Sequence, residues 1–414
     1  MATTTGQRGG TDAGFVAAVG RTLDRPLTSY HLVRGVTGLL LALGLLMVLS
    51  ASSVVSYYQT DSSYSIFVRQ AVWVAVALPC AWVAARIPLG LVRRLAGLFL
   101  LFSAVLLVLT YTPLGMEVNG NRNWISFGGP FRIQPSELAK LSLVIWLASL
   151  YARKGRRLNE WRHLLWPMAP VSVVIAGLVV GERDLGTALV LFSVILGLMW
   201  VVGAPLRLFV GSFLAVGGAA MFLVSLSSSR VERLTNFVNP FADYQDTGWQ
   251  AAHGFFALAN GGWWGVGLGA STQKWEGKLP AAHNDFIFAI IGEELGLFGT
   301  LVVLGLFGLL AYAGLRIATR TRDPFARYTA AGITIWLASQ AVINIGMVLG
   351  LLPVIGIPLP LVSYGGSALL PTLVALGLLA NLAKTEPGAA AAWRAHHKQS
   401  LAVRWGLVPR QRGR

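Results

Sequence analysis

The chain has 414 residues, of which 55% are hydrophobic and only 12% charged, and its net charge is +16. Apolar runs of about 20 residues recur along most of it, each matching the hydrocarbon thickness of a bilayer, and this excludes a water-soluble globular protein. The cations fall in short clusters between those runs, as a topology signal does, which argues against a nucleic-acid surface.

The polar, Gly- and Thr-rich stretch 1–29 lacks an apolar core followed by a small-residue cleavage site, so it reads as a cytoplasmic tail and not as a signal peptide. Ten spans follow: Leu32–Ser52, Ile66–Arg86, Leu95–Thr112, Ser136–Ala152, Leu164–Val180, Gly186–Ala204, Leu206–Leu226, Asp285–Arg316, Tyr328–Leu351 and Ser367–Lys384. Backbone polar groups in lipid must be paired within their own segment, so the spans are helices, and the runs lack the alternation of a transmembrane barrel. The expected fold is an all-α polytopic membrane protein with one domain over 30–384 and a basic cytoplasmic tail over 385–414. The single cysteine, Cys80, lies in an apolar run and permits no intrachain disulfide.

Orientation follows from the cations. With both termini cytoplasmic, the inner segments hold Arg86, Arg93, Arg94, the cluster Arg153 to Arg162, and Arg316 to Arg327, while the outer segments hold most of the acids. Asp285 then faces the exterior. The segment 227–284 becomes a long extracytoplasmic loop between the seventh and eighth spans, too long to be a mere connection.

Chemistry collects in the outer segments. Asp285 stands where a polar loop meets an apolar helix; a carboxylate there is costly to bury, and it serves either as a first-turn cap or as a general base. Glu137 and Lys140, three apart, share one helix face and form either a local ion pair or part of an anion site. Lysine near a helix N-terminus opposes the macrodipole, so Glu137 or an anionic ligand must balance it. Arg122, Arg132, Arg183, Arg230, Arg233, Lys274 and Lys278 are further outer cations, each either solvated or part of a polyanion site. Trp249 and Phe256 fit a short interfacial helix. Gly261–Gly269, with Trp263 and Trp264, reads as an anchor at headgroup level or as backbone that approaches a ligand closely. His253 and His283 lack metal-pair spacing, and Glu293 and Glu294 must face protein or water.

Taken together and in order, Asn119–Trp124, Gln134–Lys140, Asp184–Thr187, Asn236–Pro240, Gly267–Lys274, Pro280–Phe288 with Gly292–Gly296, and Leu359–Ser367 resemble the SEDS family (shape, elongation, division and sporulation). Leu23–Pro26 and Met47–Ser52 point to its division member over its elongation member. The resemblance implies a peptidoglycan polymerase of the bacterial plasma membrane, acting at the septum. It would extend β-1,4 glycan from lipid II and release undecaprenyl pyrophosphate. It also implies an essential role for Asp285 and a part for Trp124, Glu137 and Lys140. The implied partners are lipid II, the nascent glycan strand, a class B penicillin-binding protein and other division membrane proteins, with no nucleic acid. Two positions depart from the family's usual pattern: Asn284, where Thr or Ser is frequent, and Arg183, where Pro is frequent.

A sugar pyrophosphate already has a good leaving group, so an inverting transfer needs one base and nearby cations, without the paired carboxyls of a glycosidase. Asp285 is the expected base, with Lys140, Arg233 and Lys274 against the departing pyrophosphate. No cofactor is required; a divalent ion such as Mg near Asp285 stays open. A lipid II flippase and a non-catalytic scaffold for a transpeptidase are the alternatives.

Overall fold

The computed structural model describes residues 25–118, 120–126, 132–225, 231, 237, 240–241, 248–275, 277–280 and 282–395. The apolar runs fold as α1 (Thr28–Thr60), α2 (Ser65–Ala84) and α3 (Leu89–Leu109), followed by α4 (Pro135–Lys154). Next come the short α5 (Trp161–Leu165) with α6 (Met168–Gly181), then α7 (Leu185–Val202) and α8 (Leu206–Ser225). The last four are α9 (Trp249–Gly261), α10 (Ile287–Arg320), α11 (Pro324–Val348) and α12 (Gly366–Leu382). Among the described residues, eight helical segments are long and apolar enough to cross a membrane, with α5 and α6 together forming one of them. The chain is therefore a multi-pass membrane protein.

Helices α4 and α8 also coincide with expected spans but fall outside those eight. For α4 the reason is its buried polar content: Ser136, Glu137, Lys140, Ser142 and Ser149 lie among its buried residues. A helix so polar is stable in a membrane only where protein surrounds it. It packs between α3 and α11.

Two segments depart from the all-α expectation. Between α3 and α4 the chain forms an antiparallel meander, β1 (Gly115–Val118), β2 (Asn121–Ser126) and β3 (Arg132–Ile133). Met116 pairs with Trp124, and Ile125 with Ile133. Between α11 and α12, residues 352–365 run as a non-helical strap through the interior, with Ile357, Leu359, Leu361, Val362 and Ser363 buried. A Cβ on Gly44 of α1 would meet Leu361 O at 2.2 Å, and one on Gly186 of α7 would meet Ile357 Cγ1 at 2.8 Å. Glycine at both places lets α1 and α7 close on the strap. Irregular backbone at membrane depth requires this enclosure.

Helix α10 is not one straight rod. Gly296 adopts φ 68° and ψ −166° and breaks it. The loop after α9 fills the break: Val266 N donates to Glu293 O and Gly267 N to Glu294 O, while Leu297 N donates to Gly262 O and Phe298 N to Trp263 O. The alternation of glycine with bulky residues in this loop serves that purpose. A Cβ on Gly265 would meet Glu294 O at 2.2 Å, and one on Gly261 would meet Gly292 O at 1.8 Å. The short helix expected around Trp249 is α9, and its small-residue face (Ala252, Gly254, Ala257, Gly261) is buried as it packs on α10.

At the opposite end, residues beyond α12 fold back on the start of α1. Trp393 packs edge-on to Tyr30 at 5.0 Å, Lys384 Nζ lies 4.3 Å from the Trp393 ring, and Arg316 Nε stands 3.8 Å from Glu386 Oε2.

Candidate active site

Asp285 lies two residues ahead of α10. The helix's N-cap is Phe286, without a side-chain cap, so neither Asn284 nor Asp285 performs the capping that their positions suggest. Among the described residues, no group donates a hydrogen bond to the Asp285 carboxylate. Gly356 of the strap, at φ +76°, passes so close that a Cβ there would lie 3.4 Å from Oδ2. Withdrawal from water, reinforced by the charge of Asp184, holds the Asp285 pKa up at about 6.

Asp184, at the N-terminus of α7, has the opposite surroundings. Thr187 N donates to Oδ1 at 2.9 Å, and Thr187 Oγ1, Asn123 Nδ2 and Gln134 Nε2 donate to Oδ2 at 2.8, 3.0 and 2.9 Å. This carboxylate caps α7 and ties to it both β2 and the entrance of α4. The turn before it begins with Glu182, whose carboxyl accepts from Thr110 Oγ1 at 2.7 Å and is pushed up to about 8 by burial. Arg183 takes φ 66° in that turn. Proline, confined near φ −65°, cannot take this conformation, so the local geometry here is set by a residue that the family's usual proline could not replace.

Glu137 and Lys140 do meet: Lys140 Nζ donates to Glu137 Oε1 at 2.8 Å, and the two side chains are 3% and 1% exposed. Lys140 also donates to Gln340 Oε1 at 2.9 Å, and its ammonium lies 5.4 Å from the centre of the Trp336 ring. Glu137 Oε2 is buried with no hydrogen-bond partner.

Trp124 lies half-buried on β2. Strand alternation turns it to the face opposite Asn123, away from Asp184. Arg233, with Arg230, lies outside the described residues.

Lys274, the other expected pyrophosphate contact, is enclosed by protein groups. It is buried and donates to Glu294 Oε1 at 3.1 Å, Ser50 Oγ at 3.2 Å and Gly269 O at 2.7 Å. An ammonium has three protons and all three are used. Its role is to seat the loop at the break in α10, where Glu293 likewise accepts from Ser271 Oγ, Thr272 N and Oγ1, and Gln273 N.

Several polar residues that join this site were not singled out from the sequence. Asn344 Nδ2 donates to Asp285 O at 2.8 Å and to Ile357 O at 2.7 Å. Gln340 Nε2 donates to Pro358 O at 3.0 Å. On the flank, Tyr364 N donates to His283 O at 2.9 Å, and the Tyr364 hydroxyl, raised chiefly by burial, hydrogen-bonds Arg69 in the field of Arg132. An amide pair four apart inside an otherwise apolar helix was the available signal for Gln340 and Asn344.

Metal chemistry has one foothold. Among the described residues no three His, Cys, Asp or Glu side chains cluster to hold an ion. Asp285 has open oxygens and Asp184 does not, so a magnesium ion would need substrate phosphates as ligands beside one carboxylate, a common arrangement for that ion.

Comparison with known proteins supplies the rest. The sequence signature of the family of cell cycle proteins named for FtsW, RodA and SpoVE matches residues 30–387. The chain is 48% identical over 377 residues to a probable peptidoglycan glycosyltransferase FtsW of Mycobacterium tuberculosis, covering 91% of this chain and 72% of that one. It is 39% identical to the Coxiella burnetii protein of the same name, over 83% of this chain and 93% of that one. Among solved structures, it superposes with TM-score 0.71 and 28% identity on a chain from a study of how a peptidoglycan synthase complex coordinates polymerization and crosslinking, covering 85% of this chain and 96% of the other. With the rod shape determining protein RodA of Thermus thermophilus the TM-score is 0.64 at 27% identity, covering 86% and 96%. The chain therefore belongs to the FtsW, RodA and SpoVE family of cell cycle proteins.

Proposed function

We infer that this chain is a peptidoglycan glycosyltransferase of cell division, and that it polymerises lipid II at the outer face of the bacterial plasma membrane. The FtsW relatives carry the activity; one observation carries its location in the fold. Of the two neighbouring aspartates, Asp184 accepts from four donors and Asp285 is left open. A carboxylate near pKa 6 is mostly ionised at neutral pH and still basic enough to take a proton.

Asp285 removes the proton from the acceptor 4-hydroxyl as that oxygen bonds to the anomeric carbon of the donor sugar. The bond from that carbon to the pyrophosphate breaks, and the phosphate oxygens carry away the electron pair. Lys140 supplies a cation for the negative charge that develops, and Arg69 and Arg132 are exposed on the same flank. Arg233 remains a proposed phosphate contact, and Trp124 and Glu137 remain proposed substrate contacts. A bound divalent ion would add Lewis-acid stabilisation of the same phosphates; no step above depends on it.

The flippase reading would use the break in α10, since transporters place discontinuous helices around their substrate. Here the loop after α9 already occupies the freed backbone groups, which favours the polymerase. The synthase-complex neighbour couples polymerization to crosslinking, and a class B penicillin-binding protein is the corresponding proposed partner. The test is glycan synthesis from lipid II by the purified chain in detergent, with and without that transpeptidase. Wild type lengthens glycan and Asp285→Asn does not; retained synthesis by Asp285→Asn refutes the assignment.

A further inference from the structure

We propose that Gln340 and Asn344 are positioning residues of the transfer reaction, which fix the Asp285 turn and the Lys140 cation to one rigid frame. The proposal rests on the reading of Asp285 as the base. The two amides stand four residues apart on α11, hence on the same face one turn from each other. Both are buried, at 2% and 0% exposure.

Each amide has a structural duty and a second bond beyond it. The duty is the strap, whose carbonyls at Ile357 and Pro358 are held by Asn344 and Gln340 in turn. One bond from each side chain satisfies it. The second bond differs. Asn344 Nδ2 also donates to the backbone oxygen of Asp285 at 2.8 Å. Gln340 Oε1 also accepts from Lys140 Nζ at 2.9 Å and from Trp336 Nε1 at 2.9 Å, and the latter bond fixes which end of the amide faces the lysine.

Base and cation come from different elements, the loop before α10 and the first turns of α4. Nothing in their own helices sets their spacing. Adjacent turns of α11 do, and the strap next to the Asp285 carboxylate hangs from the same two side chains. Asn344 Oδ1 is buried without a partner among the described residues, so the work of this side chain lies in its donors, which offset the cost of an idle acceptor.

The groups that bear on Asp285 limit what a pH profile can report. Asp184 is the charged neighbour. His283 of the same turn is held neutral by burial, near pKa 4, and the strap contributes Tyr364, packed 5.5 Å from the His283 ring.

The test uses the full-length chain in detergent with lipid II, and Asp285→Asn as the baseline. A wild type that makes no glycan, or an active Asp285→Asn, overturns the assignment of Asp285 itself and is recognised before the variants are compared. Asn344→Leu unhooks the Asp285 turn and admits water to its carboxyl. Its plateau rate is expected to fall on the order of 10²-fold, as misplacement near 1 Å does, and the midpoint of its acid limb to move to lower pH. Asn344→Ser, too short to reach both carbonyls, gives the same reading where the leucine variant does not fold. For the second amide, the losses from Gln340→Met and Lys140→Met are expected to combine less than multiplicatively, because both break the same Lys140–Gln340 bond and only the Pro358 bond is lost in addition. A purely structural role gives the opposite pair of results: a profile scaled down with its midpoint unmoved, and losses at Gln340 and Lys140 that multiply. Either of those overturns the proposal.

Discussion

Asp285 and Asp184 show how neighbouring carboxylates acquire different work. Four donors make Asp184 a fastening, and their absence makes Asp285 available. That availability carries a cost. The folded-state pKa of Asp285 lies above its ordinary 3.8, at about 6, so the folded protein binds this proton more tightly than the unfolded chain. Its ionisation therefore opposes folding: the penalty is absent below about pH 4, grows as pH rises through 4 to 6, and is complete above. Asp285→Asn should thus melt higher than wild type at pH 7.5, by the equivalent of about 1–3 kcal/mol, with the difference vanishing near pH 4. Equal melting temperatures across that range would show the carboxylate to be well solvated. Asp285 and the Glu137–Lys140 ion pair stand out in the sequence because charge at a membrane boundary is expensive wherever it occurs. For Lys274 the sequence shows a cation but not the three acceptors that surround it.

Arg183 makes a second case at this scale. Its φ of 66° costs an L-residue about 1–2 kcal/mol. Arg183→Gly should be neutral or mildly stabilising. Arg183→Pro should lower the melting temperature and the glycan yield together by disturbing the Asp184 cap. A fully active, fully stable Arg183→Pro would mean that the turn rearranges freely.

Among the elements, α10 is the one that hydropathy described least well. Glu293 and Glu294 interrupt its apolar run but do not by themselves mark a break at Gly296; the break is stabilised by bonds from a loop about thirty residues earlier. Glycine is required because a Cβ on Gly296 would meet Gly265 N at 2.4 Å. Gly296→Ala is expected to lower thermal stability sharply in detergent. Lys274→Met should do likewise, by about 3–5 kcal/mol, because it strands Glu294 in the interior without its counter-ion. Folded Lys274→Met, assayed below its melting temperature, should keep the wild-type KM for lipid II. A raised KM with unchanged stability would return this lysine to the substrate. The meander was missed for a simpler reason: Asn119-Gly120 ahead of alternating residues is a hairpin signal, overlooked in a chain dominated by helices. The strap gave no such signal, because its conformation depends on Gln70 of α2, which accepts from Gly365 N at 3.4 Å, and on Gln340 and Asn344 of α11.

At the scale of the molecule, the helices alternate in direction so that β2, the entrance of α4, the Asp184 turn, the start of α10 and the strap all gather at one end. The positive-inside pattern assigns that end to the exterior. Cysteines placed at Glu117 on β1 and at Arg322 between α10 and α11, in a Cys80→Ser background, test this with a membrane-impermeant thiol reagent on intact spheroplasts. Labelling is expected at 117 and absent at 322; the reverse would place the site in the cytosol and end the polymerase reading. The helical spans were legible because bilayer thickness dictates their length. How they enclose a strap was not, because enclosure is a property of neighbours.

The packing of Trp393 against Tyr30 has an engineering consequence. It brings two positions nearly a chain-length apart onto the same side of the membrane, a few ångströms from each other. A short flexible tether between them would need to cross no lipid, and fresh ends could be opened in the exposed α1–α2 connection at Asp61. Such a circularly permuted protein would keep every helix–helix contact while moving the point at which a fluorophore or affinity handle is attached.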